Sequence, residues 1–181
     1  VEPIEDWQMK AIRLPRHEFL GENAGFYLVK RPEIAPPADR EEYGSDPPID
    51  FETVSAVPIA PTGSASDESF PWEWRLTRIA KKEGNPFPDR ISVGRAPNCD
   101  ICIRLPFISK LHAHFVPKDD GTVDLVDQRA ANGTSVNGRQ LTAGERVSLN
   151  VRDKIWLGTL ELELADAARL YDLLLGEARG R

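Results

Sequence analysis

Residues 72 to 181 predict an all-β fold, an antiparallel two-sheet β-sandwich closed by a C-terminal helix, on three observations. Short runs of alternating or β-branched residues recur at close spacing, turn sequences separate them, and only the last stretch changes to a helical period. The runs are WEWRLTRIA, DRISVGR, DICIR, HAHFVPK, TVDLVDQ, TSVNG, RVSLN, DKIWLG and LELEL. Between them stand GNPFP, APNCD, KDDG, AANG, NGR and TAGE. Asp-Gly and Asn-Gly tolerate the positive φ of tight hairpin turns, so neighbouring runs are expected to pair antiparallel. Strands with one apolar face bury it best against a second sheet. In ADAARLYDLLLGEA, Ala168, Leu170, Leu173 and Leu174 fall on one helical face, and Gly176 is placed to cap the helix.

The residues before this unit divide in two. From Arg31 to Pro71 there are eight prolines, and two Lys/Arg stand against nine Asp/Glu, a net charge of −7. Proline fixes φ and removes donors, and like charge opposes collapse, so this stretch reads as an extended acidic linker. Residues 1 to 30 are more apolar: EDWQMKAIRL predicts a short helix ended by Pro15, and GFYLVK predicts a strand. Thirty residues do not bury a core alone, so this N-terminal extension is expected to dock on the main domain or on a partner. The boundaries are therefore 1–30 for the N-terminal segment, 31–71 for the Pro-rich linker, 72–165 for the sandwich and 166–181 for the helix and tail.

Composition excludes several function classes. The net charge of the 181 residues is −6, and residues 72 to 181 carry only +2, with no basic stripe to neutralise a phosphate backbone, so no nucleic-acid partner is expected. No run of ~18 apolar residues could span a bilayer and no secretory leader pattern opens the sequence, which predicts no membrane association and a cytoplasmic location. Two cysteines exclude a disulfide scaffold. A first residue Val1 rather than Met reads as a piece processed or excised from a longer protein.

Three groups of small polar residues occupy the turns: Gly94-Arg95, then Ser109-Lys110-Leu111-His112, then Asn132-Gly133-Thr134-Ser135-Val136-Asn137-Gly138. Arg95 and Ser109 are 14 residues apart, and Ser109 and Asn132 are 23 apart. A phosphate dianion held reversibly needs a fixed cation and several donors without a base or metal beside them. An arginine offers a planar fork matched to phosphate oxygens, a serine a short neutral donor, and a lysine a flexible second charge. An asparagine amide can hold an extended peptide backbone.

The order and spacing of the three groups resemble the forkhead-associated (FHA) domain, a β-sandwich that binds phosphothreonine peptides, over roughly residues 72 to 165. The resemblance implies that Arg95, Ser109 and Lys110 meet the phosphate. It implies that Asn132 meets the peptide main chain, with Asn137 as a second contact. Gly94, His112 and Gly133 take structural roles, His112 as a brace for the Ser109 loop. Members of the family often carry Ser or Thr just before the asparagine. Ala131 stands there, which removes one donor and about 1 kcal/mol, the scale of one hydrogen bond. Phe107 occupies a position that can read the residue three after the phosphothreonine, and an aromatic there implies an apolar preference. Asp50-Phe51-Glu52-Thr53-Val54-Ser55 is loosely similar to the phosphoacceptor tail of small bacterial FHA regulators, which makes Thr53 a candidate phosphoacceptor able to block its own domain.

Other readings are weaker. Cys99 and Cys102 form C-x-x-C, but residues three apart on a strand face opposite ways and no second pair completes a zinc site. His112 and His114 share a strand face without a local carboxylate, and Ser109 and His112 lie in no nucleophile elbow. Asn132-Gly133-Thr134 matches a glycosylation sequon that goes unused without a secretory leader. The expectation is a module without catalytic residues, cofactor or metal. It is expected to recognise a threonine-phosphorylated protein, a kinase or its substrate, in Ser/Thr kinase signalling. The alternative is a phosphate-independent structural or scaffold domain.

Overall fold

Asn137 and Gly138 both have positive φ, 51° and 81°, and Gly121 has 78°. These are the conformations that two-residue hairpins and tight turns demand, and they are why Asn-Gly and Asp-Gly interrupt the strand runs here. The computed structural model describes residues 4–31 and 75–178. In chain order the first elements are α1 (Ile4–Arg13), α2 (Arg16–Glu22), β1 (Phe26–Lys30), β2 (Arg75–Arg78), β3 (Ile91–Gly94) and β4 (Ile101–Cys102). Then follow β5 (Ala113–Pro117), β6 (Val123–Asp127), β7 (Thr134–Val136), β8 (Arg139–Gln140) and β9 (Arg146–Leu149). The chain closes with β10 (Lys154–Leu157), β11 (Leu160–Asp166) and α3 (Ala167–Ala178).

The strands form two sheets, one of order β2-β1-β11-β10-β7-β8 and one of order β4-β3-β5-β6-β9. The sandwich is thus present, with one departure from the antiparallel expectation. β4 runs parallel to β3, with Val93 opposite Ile101 and Gly94 opposite Cys102. The chain leaves β3 through a long turn and returns alongside it, so hairpin logic does not govern this pair. Val93, Phe115, Leu125, Ile155, Leu157 and Leu164, each fully buried, fill the space between the sheets.

A second core covers the outer face of the six-stranded sheet. Phe19, Tyr27, Val29, Leu76, Ala165 and Leu170 meet there, with Trp7 stacked edge-on to Tyr27 at 5.8 Å. Strand alternation explains how β1 serves both cores: Leu28 points into the sandwich, Tyr27 and Val29 into the helical layer. The residues that predict a strand in the N-terminal extension therefore form an inner strand. It lies between β2 and β11, with Leu28 opposite Thr77 on one side and Leu164 on the other. α1 covers EDWQMKAIR and the chain turns at Pro15.

In α3, Leu170, Leu173 and Leu174 are buried, while Ala168 is only partly covered. Gly176 does not cap this helix, which continues to Ala178. No neighbour lies within 4 Å of it, and nothing there forces the chain out of the helix. Glu163 on β11 is buried and pinned by three cations, Arg169 at 2.7 Å, Arg31 at 3.2 Å and Lys154 at 3.8 Å. That cluster ties α3, β10 and the exit of β1 to one carboxylate.

Candidate functional site

β3 ends on Gly94 against the loop that carries Ser109. The Arg95 amide donates to the Ser109 carbonyl at 2.9 Å, Ala96 to Lys110 at 3.0 Å, and His112 to Val93 at 2.9 Å. A Cβ on Gly94 would collide with the Lys110 carbonyl oxygen and sit 3.0 Å from Leu111 Cα. Glycine is required here for close approach of two backbones rather than for its φ. Arg95 is exposed, and its Nε donates to the Ile108 carbonyl at 3.1 Å. That bond fixes the base of the guanidinium, and the terminal nitrogens make no hydrogen bond among the described residues. The exposed Lys110 ammonium likewise has no ion pair among them.

Ser109 is held from both sides. Its amide donates to His112 Nδ1 at 3.1 Å, and its Oγ accepts the Ala131 amide at 3.0 Å. Because Nδ1 accepts, the ring proton of His112 resides on Nε2, which donates to the Gly133 carbonyl at 3.0 Å. His112 is fully buried, and burial pushes its pKa below the ordinary 6.5, against the opposing pull of the Gly133 carbonyl and Asp127. The imidazole is neutral and bonds the Ser109 main chain rather than its hydroxyl. It does not activate Ser109 as a nucleophile; Oγ accepts from Ala131, and the serine O–H has no acceptor among the described residues.

The loop before β7 is shaped by residues that the sequence did not single out. Asp127, buried at the end of β6, accepts the Thr134 hydroxyl at 2.6 Å and the Arg129 amide at 2.7 Å. Arg129 has φ 57°, a strained conformation for a side-chain-bearing residue that the Asp127 bond stabilises. Thr134 is wholly buried, so the sequon around Asn132 ends in the core. Asn132 Nδ2 donates to the Phe107 carbonyl at 2.8 Å and bridges the two loops. Gly158, with φ 60°, completes the junction. A Cβ there would press on Phe107 at 3.2 Å and on Asn132 Cβ at 3.3 Å, and its amide donates to the Gly133 carbonyl. Asp127 and Gly158 act across loops distant in sequence, and no local motif marks them.

Arg95, Ser109, Lys110, Phe107, Ala131 and Asn132 therefore come together at the loops joining the strand ends, with Gly94, His112 and Gly133 beneath them. Ala131 contributes its amide and no hydroxyl. Asn137 stands apart at the far end of β7, where Nδ2 donates to Asp153 at 2.8 Å and Oδ1 accepts the Lys154 amide at 2.9 Å. It braces the hairpin against β10. Thr53 and most of the Pro-rich segment lie outside the described residues.

Cys99 is buried and Cys102 exposed, both as free thiols; Cys99 lies in the turn before β4, so the alternation of a strand does not relate the two. Their Sγ atoms lie 3.3 Å from the Lys110 carbonyl and 3.6 Å from the Arg95 carbonyl. Burial pushes the Cys99 thiol up. Among the described residues no group of three or more His, Cys, Asp or Glu is placed to hold a metal ion. No helix among them is long and apolar enough to cross a membrane. The assembly is an exposed cationic surface with fixed donors and a neutral, occupied histidine, suited to holding an anion reversibly.

Residues 91–158 match the family model of the FHA domain. A curated relative, the ABC transporter ATP-binding/permease protein Rv1747 of Mycobacterium tuberculosis, is 34% identical over 92 residues. The match covers 51% of this chain, which spans about a tenth of that relative's length. Among solved structures, Mycobacterium tuberculosis EmbR in complex with a low affinity phosphopeptide is 25% identical. It aligns over 44% of this chain and 20% of that one, with a TM-score of 0.40. The FHA domain of the CT664 protein from Chlamydia trachomatis is 25% identical over 51% of this chain and 85% of that one, with a TM-score of 0.43.

Proposed function

We propose that this chain, which carries an FHA domain over residues 91–158, is a phosphothreonine-dependent recognition module in Ser/Thr kinase signalling, with no catalytic role of its own. The observation that supports the reading is that Arg95 and Lys110, both unopposed by acid among the described residues, flank Ser109 on loops tied backbone to backbone, Arg95 N–H to the Ser109 carbonyl and Ala96 N–H to the Lys110 carbonyl. Arg95 and Lys110 supply charge and Ser109 a donor to the phosphate. Asn132 holds the peptide backbone beside Phe107, which favours an apolar ligand side chain. Asn137, engaged with Asp153 and Lys154, is left out of the ligand contacts.

Two charge-assisted contacts at ~1.5–3 kcal/mol each are enough for micromolar binding together with the backbone bonds. The missing hydroxyl at Ala131 favours a second reading, a scaffold domain that binds partners without phosphate. Calorimetric titration with one threonine peptide in phosphorylated and unphosphorylated forms separates them. Phosphate-dependent affinity supports the module, and equal affinity for both forms supports the scaffold.

A further inference from the structure

Beside Lys110, on the outer face of the five-stranded sheet, lies a cleft of about 650 Å³ that neither Arg95, Ser109 nor Asn132 lines. Ser92 and His114, cross-strand neighbours on β3 and β5, form its floor. One wall is the segment 82–90 between β2 and β3, and the other is the turn after β3 with Lys110 and Leu111. The first wall is firmly built. The Asp100 carboxylate, its side chain fully buried, accepts the amides of Lys82 at 2.9 Å and Ser92 at 2.7 Å. It also takes the Asn85 side-chain amide at 2.8 Å and the Lys81 ammonium at 3.3 Å.

Against this rigid frame two apolar side chains are left uncovered, Phe87 at 56% exposure and Leu111 at 45%, on opposite walls. Lys82, Arg90 and Lys110 set three cations around the opening against Glu83. Arg90 is shared with the exposed Asp89 at 2.9 Å and stacks over the Phe87 ring at 5.3 Å. Lys82 is held to the Pro97 carbonyl at 3.1 Å. On one side of Ser109 and Lys110 stand Phe107 and Asn132, bonded to each other across the two loops. On the other side the cleft adjoins the site, because Lys110 lines both.

We propose that the cleft is a second recognition element for the same ligand, taking an apolar side chain between Phe87 and Leu111 with an acidic neighbour against Lys82. It would act on the flank of the phosphothreonine that leaves on the Lys110 side. This inference rests on the phosphothreonine reading above. The preferred ligand is then a phosphothreonine peptide in which one flank, and one only, is acidic and apolar.

Calorimetry with three phosphothreonine peptides tests it: one with Gly/Ser flanks, one with an acidic-apolar N-terminal flank and one with that flank C-terminal. One of the two enriched peptides should bind about tenfold tighter than the plain one, the scale of one partly buried apolar side chain plus an exposed charge pair. That gain should vanish in Phe87→Ser and Lys82→Glu variants, whose affinity for the plain peptide stays unchanged. Equal affinity for all three peptides, or a gain that survives both substitutions, overturns the cleft assignment while leaving phosphothreonine binding in place. If no phosphopeptide binds, the reading of the site fails and this inference with it.

Discussion

Replacing Arg95 with alanine removes the fork and breaks one bond, to the Ile108 carbonyl. Phosphopeptide affinity should fall by about 2 kcal/mol or more, roughly thirtyfold, as for loss of a charge-assisted pair. The melting temperature should hardly move, because the side chain is exposed; calorimetry and thermal unfolding on the same variant check both halves. His112→Ala should do the reverse. It strands the half-buried Ser109 amide, leaves the Gly133 carbonyl only the Gly158 amide, and opens a cavity, at ~2–4 kcal/mol of stability measured by denaturant titration. The same ring gives a pH dependence. Its pKa is lowered on folding, so the stability it lends is fully present above 6.5 and drains as pH falls from there through the depressed native value. The acid-side loss of stability should shrink in His112→Gln. At this scale the sequence spacing was enough to mark the loops that bring Arg95, Ser109, His112 and Asn132 near one another. It was silent at Asp127 and Gly158, whose roles exist only once remote loops touch, and it did not reveal that Asn137 turns its side chain to Asp153 and Lys154.

The segment 82–90 has no regular structure, and Asp100 anchors it through Lys82 and Asn85. Burial pushes the Asp100 carboxyl up, but the amides of Lys82 and Ser92, the Ser92 hydroxyl and Lys81 outweigh it and hold it below the ordinary 3.8. Its contribution is therefore present above pH 3.8 and lost as pH falls through the lower native value. Asp100→Ala should release the segment at neutral pH, with faster amide exchange at residues 82–87 and little change in β5 and β6. Hydrogen exchange read by mass spectrometry shows it. Period-two runs made most strands of the sandwich legible, and Asn-Gly and Asp-Gly made two turns legible. Pairing was less so. Nothing local tells β4 to run parallel to β3, nor β1 to enter a sheet whose other members lie more than 40 residues away.

For the molecule as a whole, β1 is the element that joins two cores. A chain trimmed to residues 72–181 keeps the matched family region but loses the strand between β2 and β11, along with Phe19, Tyr27, Val29 and Leu28. Those four buried side chains represent on the order of 6–12 kcal/mol of apolar burial at ~1.5–3 kcal/mol each, comparable to the net stability of a small domain. The trimmed chain should be unfolded or molten by near-UV circular dichroism, and adding residues 1–31 as a separate peptide should restore the spectrum. The position of β1 also sets an order of events during folding. Residues 26–30 are synthesised early, yet both their partners, 75–78 and 160–166, follow much later, so this strand cannot take its place between two neighbours until the last one exists. The β5–β6 hairpin, closed by a short turn, should gain amide protection well ahead of it in pulse-labelled refolding. A strand that is among the first made is then among the last placed, and a ribosome-bound chain that stops short of residue 160 still carries Tyr27 and Val29 without α3 to cover them.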